Sequence, residues 1–353
     1  MNTDNFGIEI DFLAVGEGSR SADAIAIRYG ELMSGDLTKQ EVIIIDGGTK
    51  VSGDSLIDFV KTHYNTDYVD KVTMTHPDRD HASGLTEVLN GLRVGEVWMH
   101  QPWLHSADIR QHFIDGRITD SSLERRLRVS MDAAHEVEQI ALKKGIPIVE
   151  PFAGMQSTDG VITVLGPTKD YYQSLLPEFS KTPESESVVS KAFGFVAKAL
   201  AWITETFSEE HLPGDNTSAE NNSSTILLFQ VGGKKFLIVG DAGVPALEAA
   251  KDYALKLGIK LDDLQFMQVP HHGSKKNVNS DILNAIKAKS AFISAAKEGA
   301  PKHPSQRVIN ALVRRGTNVY VTQGNGICHR HNTPGRAGWG GLDARGFETY
   351  YEE

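Results

Sequence analysis

The stretch THPDRDHASG, residues 75–84, directly follows an apolar segment, KVTMT, that is typical of a buried strand. Within six residues it holds four side chains that can bind a metal ion: His76, Asp78, Asp80 and His81. Loops at strand ends often carry functional sites, and four such side chains on one turn can serve two adjacent cations. Mixed imidazole and carboxylate ligands suit zinc, manganese or iron rather than calcium. The alternative is a polar loop, with Asp80 as a helix N-cap and hydrogen-bonded histidines.

Three later segments place further ligand-type side chains after apolar strands. KKFLIVGDAG ends with Asp241, where a lone buried carboxylate would be costly unless it were paired or metal-bound. LQFMQVPHHGS places His271 and His272 at another strand end, and the following glycine and Ser274 can bring backbone N–H groups close to an anion. KHPS adds His303. Each could be an ordinary polar turn by itself, but together with the first motif they favour one metal-dependent site.

Short apolar, β-branched runs recur through the chain and predict twelve strands. These predicted strands cover 6–15, 23–29, 41–46, 71–75, 96–100, 146–150, 161–166, 225–231, 234–240, 264–270, 290–295 and 318–323. Predicted helices cover 54–64, 83–91, 121–144, 245–257, 280–288 and 305–315. In the longest, Ser121 and Glu124 predict a capping box and Gly145 a C-terminal stop. The pattern predicts an α/β (α+β) domain with two sheets and helices outside them.

The chain of 353 residues is long enough for one elaborated domain, and we treat 1–353 as a single domain. The segment 168–223 differs in composition and predicts an insertion that is helical in its centre, FGFVAKALAWI, and flexible at both ends. Its apolar centre could be a lid, a helix that binds a protein partner, or core. Residues 327–353 form a C-terminal extension, which could be a flexible tail.

Charge and composition exclude several classes of protein. The formal net charge of −10 argues against a broad basic surface for duplex binding. Residues 301–345 nevertheless carry a net charge of +6, with His329, His331 and Trp339 available to contact a nucleotide. A single cysteine, Cys328, rules out a disulfide within the chain and a multi-cysteine zinc site. No stretch is long and apolar enough for a membrane helix or a signal peptide, so we expect a cytoplasmic protein.

Together these segments resemble the metallo-β-lactamase superfamily, and within it the soluble domain attached to ComEC-type DNA-uptake channels and its free-standing relatives. The matching segments occur in the family's order: DFLAVGEG (11–18), IIIDGG (43–48), THPDRDHASG (75–84), NNSSTILLF (221–229), FLIVGDAG (236–243), VPHHGS (269–274), KHPS (302–305) and VTQGNG (321–326). The resemblance implies a four-layer αββα sandwich. It also implies a centre of one or two divalent metal ions at the joint edge of the two sheets.

The resemblance further implies a role for each residue of the first motif. His76 and Asp78 would hold the first metal, and Asp80 and His81 the second. Asp241 would bridge the two. Many superfamily hydrolases have a histidine in place of Asp78, and a carboxylate there favours harder metals such as manganese over zinc.

The remaining candidates have less certain roles. Either His271 or His272 would complete the second site, and the other would face the substrate or stack against a ligand. His303 would lie on the substrate side, suited to contact a phosphate or protonate a leaving group. Asn221 or Asn222 occupies the place of a further ligand histidine in many relatives, and would be a weak, neutral substitute. Gly16 and Gly18 are more typical of a turn than of a catalytic loop.

Phosphodiester hydrolysis by a metal-activated water fits these residues, with DNA or a nucleotide as substrate and zinc or manganese as metal. Asp80 and Asp241 would orient the hydroxide and His303 would stabilise the developing charge. One alternative is a hydrolase of another ester, including a phosphocholine-type phosphodiester or a lactone. Another is a binding or regulatory module with a weakened metal site, whose partner docks on 168–223. No P-loop and no serine nucleophile elbow is present.

Overall fold

The computed structural model describes residues 5–15, 21–113, 117–179, 202–212, 214, 217–298 and 303–352. Two large sheets dominate this part of the chain. The first consists, from edge to edge, of β14 (Ile327–His331), β1 (Gly7–Phe12), β2 (Ala24–Gly30), β3 (Gln40–Gly47), β4 (Tyr68–Thr73), β5 (Arg93–Trp98) and β6 (Ile148–Val149). Its strands β3 to β6 are parallel, whereas β14, β1, β2 and β3 pair antiparallel.

The second sheet has six strands and also combines parallel and antiparallel pairs. From edge to edge it consists of β13 (Asn318–Val321), β12 (Ala288–Ile293), β11 (Leu264–Gln268), β10 (Lys234–Ile238), β9 (Ile226–Val231) and β7 (Ile162–Gly166). Strands β10 to β13 are parallel. A separate ribbon pairs β8 (Trp202–Thr204) with β15 (Tyr350–Glu352).

Helices connect the strands and cover the outer faces of both sheets. The α-helices are α1 (Lys50–Phe59), α2 (Arg79–Ala82), α3 (Leu85–Gly91), α4 (Ser106–Ile109), α5 (Asp120–Ser130), α6 (Asp132–Lys144), α7 (Lys169–Leu175), α8 (Ala219–Asn222), α9 (Val244–Lys256), α10 (Ser280–Ala285) and α11 (Gln306–Arg314). A π-helical turn, Val60–Tyr64, continues α1. Short 3₁₀ turns cover Leu32–Ser34, Leu37–Lys39, Pro102–His105, Arg110–His112, Leu176–Glu178 and His271–Gly273.

Three separate apolar cores lie between four layers. The central core joins the inner faces of the two sheets and includes Phe12, Phe266 and Phe292, whose rings meet edge to face at centroid distances of 5.0–6.0 Å. One outer core lies between the first sheet and its helices, and the other between the second sheet and its helices. Each buried aromatic or aliphatic side chain contributes about 1.5–3 kcal/mol. The structure thus confirms the αββα sandwich that the resemblance implies.

Strand β1 is buried on both faces, and its outer face carries two carboxylates. Glu9 receives a hydrogen bond from Arg28 Nε (2.7 Å), and Asp11 receives one from the Tyr64 hydroxyl (2.7 Å). Arg336, from the C-terminal segment, bonds to both, at 2.9 Å from Glu9 and 2.7 and 3.0 Å from Asp11. Buried carboxylates need such partners, so Arg336 anchors the C-terminal segment to the first sheet.

All twelve predicted strands are present. The single helix predicted over 121–144 is instead two helices that meet at Met131. The backbone of Met131 is not helical (φ −112°, ψ 49°). Its neighbours favour a break because their side chains compete for backbone groups: Ser130 Oγ donates to the Leu127 carbonyl, and Asp132 accepts from the Ala133 N–H. Gly145 ends the second helix in the left-handed conformation, as predicted.

The predicted capping box at the start of this region is also wrong. The N-cap is Thr119, whose side chain accepts from the Ser122 N–H, while the Ser122 hydroxyl accepts from the Thr119 N–H. The helix therefore begins earlier than Ser121 and Glu124 suggest. A serine in the third helical position can replace the usual glutamate because its hydroxyl reaches the same backbone group.

The insertion and the C-terminal extension both contribute to the fold. Helices α7 and α8 begin and end the region 168–223, and β8 lies between them, while most of its apolar centre falls in 180–201, outside the described residues. In the extension, β14 pairs with β1 at the edge of the first sheet and β15 pairs with β8. Of the helices in the described ranges, none combines the length and the apolar character needed to cross a membrane.

Candidate metal centre

The residues singled out in the sequence converge where strands of the two sheets end. The loop 75–81 follows β4, Asp241 follows β10, and the histidine pair follows β11. Gly240 allows the two sheets to meet here: its φ is +52°, and a Cβ on it would lie 2.9 Å from Cβ of Thr75. A larger residue at this position would separate the ends of β4 and β10.

Two groups of ligand-type atoms share the carboxylate of Asp241. In the first group, His76 Nε2 lies 3.7 Å from Asp78 Oδ2 and 3.8 Å from Asp241 Oδ2. In the second, His81 Nε2 lies 3.5 Å from Asp241 Oδ1 and 3.9 Å from Asp80 Oδ2. Atoms that bind one zinc ion at about 2.0–2.2 Å are separated by distances of this order. The two oxygens of Asp241 therefore face different ligand groups.

The histidine pair divides between these two groups. His272 Nε2 lies 3.8 Å from Asp80 Oδ2, on the side of the second group. His271 Nε2 lies 3.6 Å from Asp241 Oδ2, the oxygen that also faces His76. Both histidines have left-handed backbone conformations (φ 50° and 55°), so two consecutive side chains reach different sides of Asp241. The sequence left this choice open, and the geometry assigns His272 to the side of Asp80.

The buried polar atoms of the centre fit a metal. Four of them are almost fully shielded from solvent and have no hydrogen-bond partner among the described residues: Nε2 of His76, Nε2 of His81, Nε2 of His272 and Oδ1 of Asp241. Such atoms are costly to bury unpaired, and all four are directed at the same small space. Groups of three ligand atoms, such as His76, His81 and Asp241, lie within 4.8 Å of one another. The residues present therefore suit one or two divalent cations.

Two aspartates that the sequence analysis did not select support the ligands from behind. Asp46, at the end of β3, bonds His81 Nδ1 (2.7 Å) and both the N–H and the hydroxyl of Thr75 (2.8 and 2.6 Å). Asp23 accepts from Gln268 Nε2 (2.8 Å) and lies 3.9 Å from Nδ1 of His272. Asp46 holds the ring nitrogen of His81 that faces away from the centre, which orients the ligand nitrogen, while Asp23 places a carboxylate near His272 without a hydrogen bond to it. In the sequence, Asp46 could have been found because it directly follows three consecutive isoleucines, Ile43 to Ile45. No comparable sequence feature marks Asp23.

Electrostatics in the centre match a site for cations. Burial alone would raise the pKa of Asp241, but His271, His81 and His272 outweigh it and hold the pKa well below its ordinary value. Burial lowers the pKa of His272, yet Asp241, Asp80 and Asp23 raise it to about 9. Asp241 therefore stays ionised at neutral pH and protons on the neighbouring His81 and His272 balance its charge, whereas burial raises the pKa of Asp23. A bound cation would replace those protons.

The opening of the centre is bordered by the less buried ligands. Side chains of Asp78, Asp80 and His271 are 37%, 45% and 28% exposed, whereas that of His76 is fully buried. His303 stacks on His271 with ring centroids 5.4 Å apart and an interplanar angle of 28°. His303 thus lies outside the two ligand groups, beside their exposed side.

The other predicted site residues serve the backbone or the ligands. Asn221 Nδ2 lies 3.1 Å from Nδ1 of His271, and Oδ1 of Asn277 lies 3.0 Å from the same nitrogen. Asn222 Nδ2 donates to the Ser218 carbonyl. The Ser274 N–H, expected near an anion, donates to the His271 carbonyl. For the N-cap alternative, the helix that starts after Asp78 has no side-chain cap, and Asp80 lies within its first turn.

Three of the six arginines in the basic C-terminal tract, residues 301–345, form ion pairs within the fold. Arg314 bonds Glu205, Arg315 bonds Glu210 (2.5 Å), and Arg336 bonds Glu9 and Asp11. Lys302 lies outside the described residues, as do Gly16 and Gly18. Acidic side chains from distant parts of the chain therefore neutralise three of the cations in this tract, Arg314, Arg315 and Arg336.

Comparison with known proteins identifies the family of the chain. A family model described as the metallo-beta-lactamase superfamily matches residues 36–297, about three quarters of the chain. ComE operon protein 3 of Bacillus subtilis (strain 168) is 32% identical over 109 residues, which are 31% of this chain and 13% of that protein. The chain therefore spans only a small part of that relative's length.

The chain also matches solved structures at low identity, with TM-scores below 0.5. Tm1679, a metal-dependent hydrolase of the beta-lactamase superfamily, has 11% identity and a TM-score of 0.46, with 91% of this chain and 98% of that one covered. A diphosphatase from the PhnP family has 9% identity and a TM-score of 0.40 (92% and 98% covered), and a long-form RNase Z from yeast has 10% and 0.34 (81% and 37% covered). The family model alone covers enough of the sequence to assign membership, and this chain belongs to the metallo-beta-lactamase superfamily.

Proposed function

We propose that this chain is a metal-dependent phosphodiesterase or nuclease that uses a metal-activated water on DNA or a nucleotide. The observation that carries the proposal is the position of Asp241, whose two oxygens face two separate groups of histidine and aspartate ligands. A carboxylate placed in this way is suited to bridge two cations. Paired cations are typical of enzymes that displace a group at phosphorus.

The proposed ligand sets combine two kinds of observation. Three-residue groups, such as Asp80, His81 and His272, have ligand atoms within 4.8 Å of one another, whereas Asp78 and His271 enter through single distances to His76 and Asp241. The first cation would be held by His76, Asp78, His271 and Asp241, and the second by Asp80, His81, His272 and Asp241. Each set has two imidazole nitrogens and two carboxylate oxygens. Such a mixed set suits zinc or manganese. In this proposal His271, 3.6 Å from Asp241, would take the place for which the sequence offered the weak donors Asn221 and Asn222, and the non-catalytic module stays the alternative.

Bound divalent metal would supply a water of lowered pKa and stabilise charge that develops at phosphorus. The protein's part is to position the reacting groups. Asp80 and Asp241 would orient the hydroxide, and their low pKa values keep them ionised as acceptors. His303, stacked on His271 at the exposed side, would contact a phosphoryl oxygen or the leaving group. Binding of a protein partner by 168–223 remains a prediction.

The test combines metal content with turnover. We would measure bound divalent metal, then hydrolysis of bis-(p-nitrophenyl) phosphate and of labelled single-stranded DNA with manganese or zinc. His76→Ala and Asp241→Asn should lose metal and activity together, while the exposed control Asp262→Asn should retain both. Small esters and lactones tested in parallel distinguish the alternative hydrolases. A protein that binds two metals yet hydrolyses no phosphodiester would refute the proposal.

A further inference from the structure

A large groove lies at the edge of the sandwich where β14 and β13 face each other, outside the metal centre. Its volume is about 1130 Å³. One wall is the exposed face of α1 and its π-helical turn, and another is the C-terminal segment 338–342. The floor comes from the ends of β1, β12 and β13 and from β14. The proposed reaction uses none of these residues.

Backbone hydrogen bonds connect a residue that lines the groove with the strand that begins beside the metal centre. The N–H of Leu13, which lines the groove, donates to the Ala24 carbonyl at 3.0 Å. The adjacent residue, Asp23, lies 3.9 Å from His272 and donates its N–H to the Asp80 carbonyl. The inner end of the groove therefore lies along the same edge of the sandwich as the proposed second metal site.

The lining is rich in flat aromatic rings and poor in net charge. Trp339, Tyr320 and Phe292 contribute rings, and hydroxyl and amide groups lie between them. Of the residues lining the groove, Asp58 and Arg330 carry opposite charges. A polyanion running the length of the groove would find little electrostatic attraction, and a lipid chain would leave many polar groups without partners. A planar, uncharged group with hydrogen-bonding edges satisfies both conditions.

One histidine in the floor, His329, belongs partly to the core between the sheets. His329 is wedged between the sheets, with its ring centroid 5.0 Å from that of Phe266. Its Nε2 is shielded from solvent and has no hydrogen-bond partner among the described residues. Burial, together with nearby His331, lowers the pKa of His329 to about 4, so the ring is neutral at pH 7. His329 therefore adds no charge to the floor of the groove.

The Trp339 side chain, on the wall of the groove, is held in place by three neighbouring side chains. The Arg336 guanidinium lies 4.6 Å from its ring centroid, and the rings of Phe59 and His63 meet it edge to face at 6.2 and 5.9 Å. Arg336 is itself fixed by Glu9 and Asp11. Because these contacts restrict the indole before any ligand arrives, stacking on Trp339 loses little conformational entropy.

We propose that this groove binds a base of a single-stranded oligonucleotide, with Trp339 as the stacking surface, so that the neighbouring phosphodiester reaches the metal centre. The groove thereby makes nucleic acid, rather than a small phosphodiester, the substrate class. Cleavage of the neighbouring phosphodiester at the metal centre rests on the proposed function. Base binding itself needs no turnover.

The binding experiment uses the full chain treated with a chelator and a 5′-labelled (dT)8 probe, followed by fluorescence anisotropy. Trp339→Ala should weaken binding on the order of 10-fold, the usual effect of removing one stacking ring, and Trp339→Phe should restore much of it. The matched control is Trp202→Ala, since Trp202 is 62% exposed and does not line the groove. Tyr320→Ala is a second groove variant that should also weaken binding. Equal affinities for Trp339→Ala and Trp202→Ala, with Tyr320→Ala unchanged, would overturn the proposal.

The kinetic experiment separates this proposal from the proposed function. With metal present, Trp339→Ala should raise KM for the oligonucleotide by a similar factor while leaving the kinetics of bis-(p-nitrophenyl) phosphate unchanged. Binding that depends on Trp339 without any hydrolysis would support the groove and refute the phosphodiesterase. Hydrolysis of the oligonucleotide with unchanged KM in Trp339→Ala would support the phosphodiesterase and refute the groove.

Discussion

Replacing Arg336 by leucine tests the contact that anchors the C-terminal segment to the first sheet. The guanidinium is 11% exposed and makes three hydrogen bonds to two carboxylates that are each 1% exposed. Breaking a buried ion pair by removing one partner costs about 3–5 kcal/mol. Glu9 keeps Arg28 and Asp11 keeps the Tyr64 hydroxyl, so we expect about 3 kcal/mol, the lower end.

The assay is urea denaturation of the full chain, monitored by circular dichroism. The control is Arg93→Leu, because Arg93 pairs with Asp67 in a salt bridge whose side chains are 70% and 58% exposed, and such pairs contribute about 0–1 kcal/mol. A cost for Arg336→Leu no greater than that for Arg93→Leu would refute the reasoning. Asp11→Asn in the Arg336→Leu background should recover part of the loss, since it removes a buried charge left without its cation.

The penalty should also depend on pH. Burial raises the pKa of Glu9, but Arg28 and Arg336 outweigh it, and the net pKa lies below the ordinary value. A carboxyl with a lowered folded-state pKa contributes stability above its unfolded pKa, and that contribution disappears as the pH falls through the folded value. The difference between wild type and Arg336→Leu should therefore be full at pH 7 and shrink below about pH 4. A constant difference across this range would contradict the assignment.

Three further outcomes follow from the metal centre. His271→Ala and His272→Ala should each lower the metal content from two ions to one per chain by elemental analysis; retention of both ions in either variant would contradict its proposed ligand role. The pKa of His272 is about 9, and metal binding requires the neutral ring. The affinity for Mn²⁺, measured by calorimetry, should therefore rise about tenfold per pH unit between pH 6 and 8 for each proton released. An affinity that does not change with pH would exclude this coupling. Gly240→Ala should cost about 2–3 kcal/mol in urea denaturation, because its φ is +52° and its Cβ would meet Thr75; the control Gly258→Ala (φ +75°, open space) should cost about 1 kcal/mol, and equal costs would argue against close contact.

Local patterns predicted the strands because alternation and β-branched runs reflect burial on a pleated sheet. The three missed strands are short or depend on distant partners. The clearest example is β14, which reads ICHRH and pairs with β1 more than 300 residues earlier. Three of its five side chains are histidine or arginine, so no apolar alternation marks it. Its place at the sheet edge depends on pairing with β1 and on the anchor at Arg336.

Residue chemistry identified most of the candidate centre. Side chains with ligand atoms directly after apolar strands were sufficient to select His76, Asp78, Asp80, His81 and Asp241, since strand ends of one sheet edge lie together. Asp23 was missed because it starts a strand, and nothing in its neighbours marks a site. Its function became visible only when Gln268 and His272 were placed beside it.

The sequence by itself determined the family, the two-sheet architecture and the residue types of the centre, because these depend on periodicity and on side-chain chemistry. Tertiary contacts were needed to show which histidine faces which group, that both oxygens of Asp241 have ligand-type neighbours, and that Arg314, Arg315 and Arg336 have acidic partners. It also placed Trp339 on a groove beside the centre. These features depend on contacts between residues far apart in the chain, and local composition carries no record of such contacts.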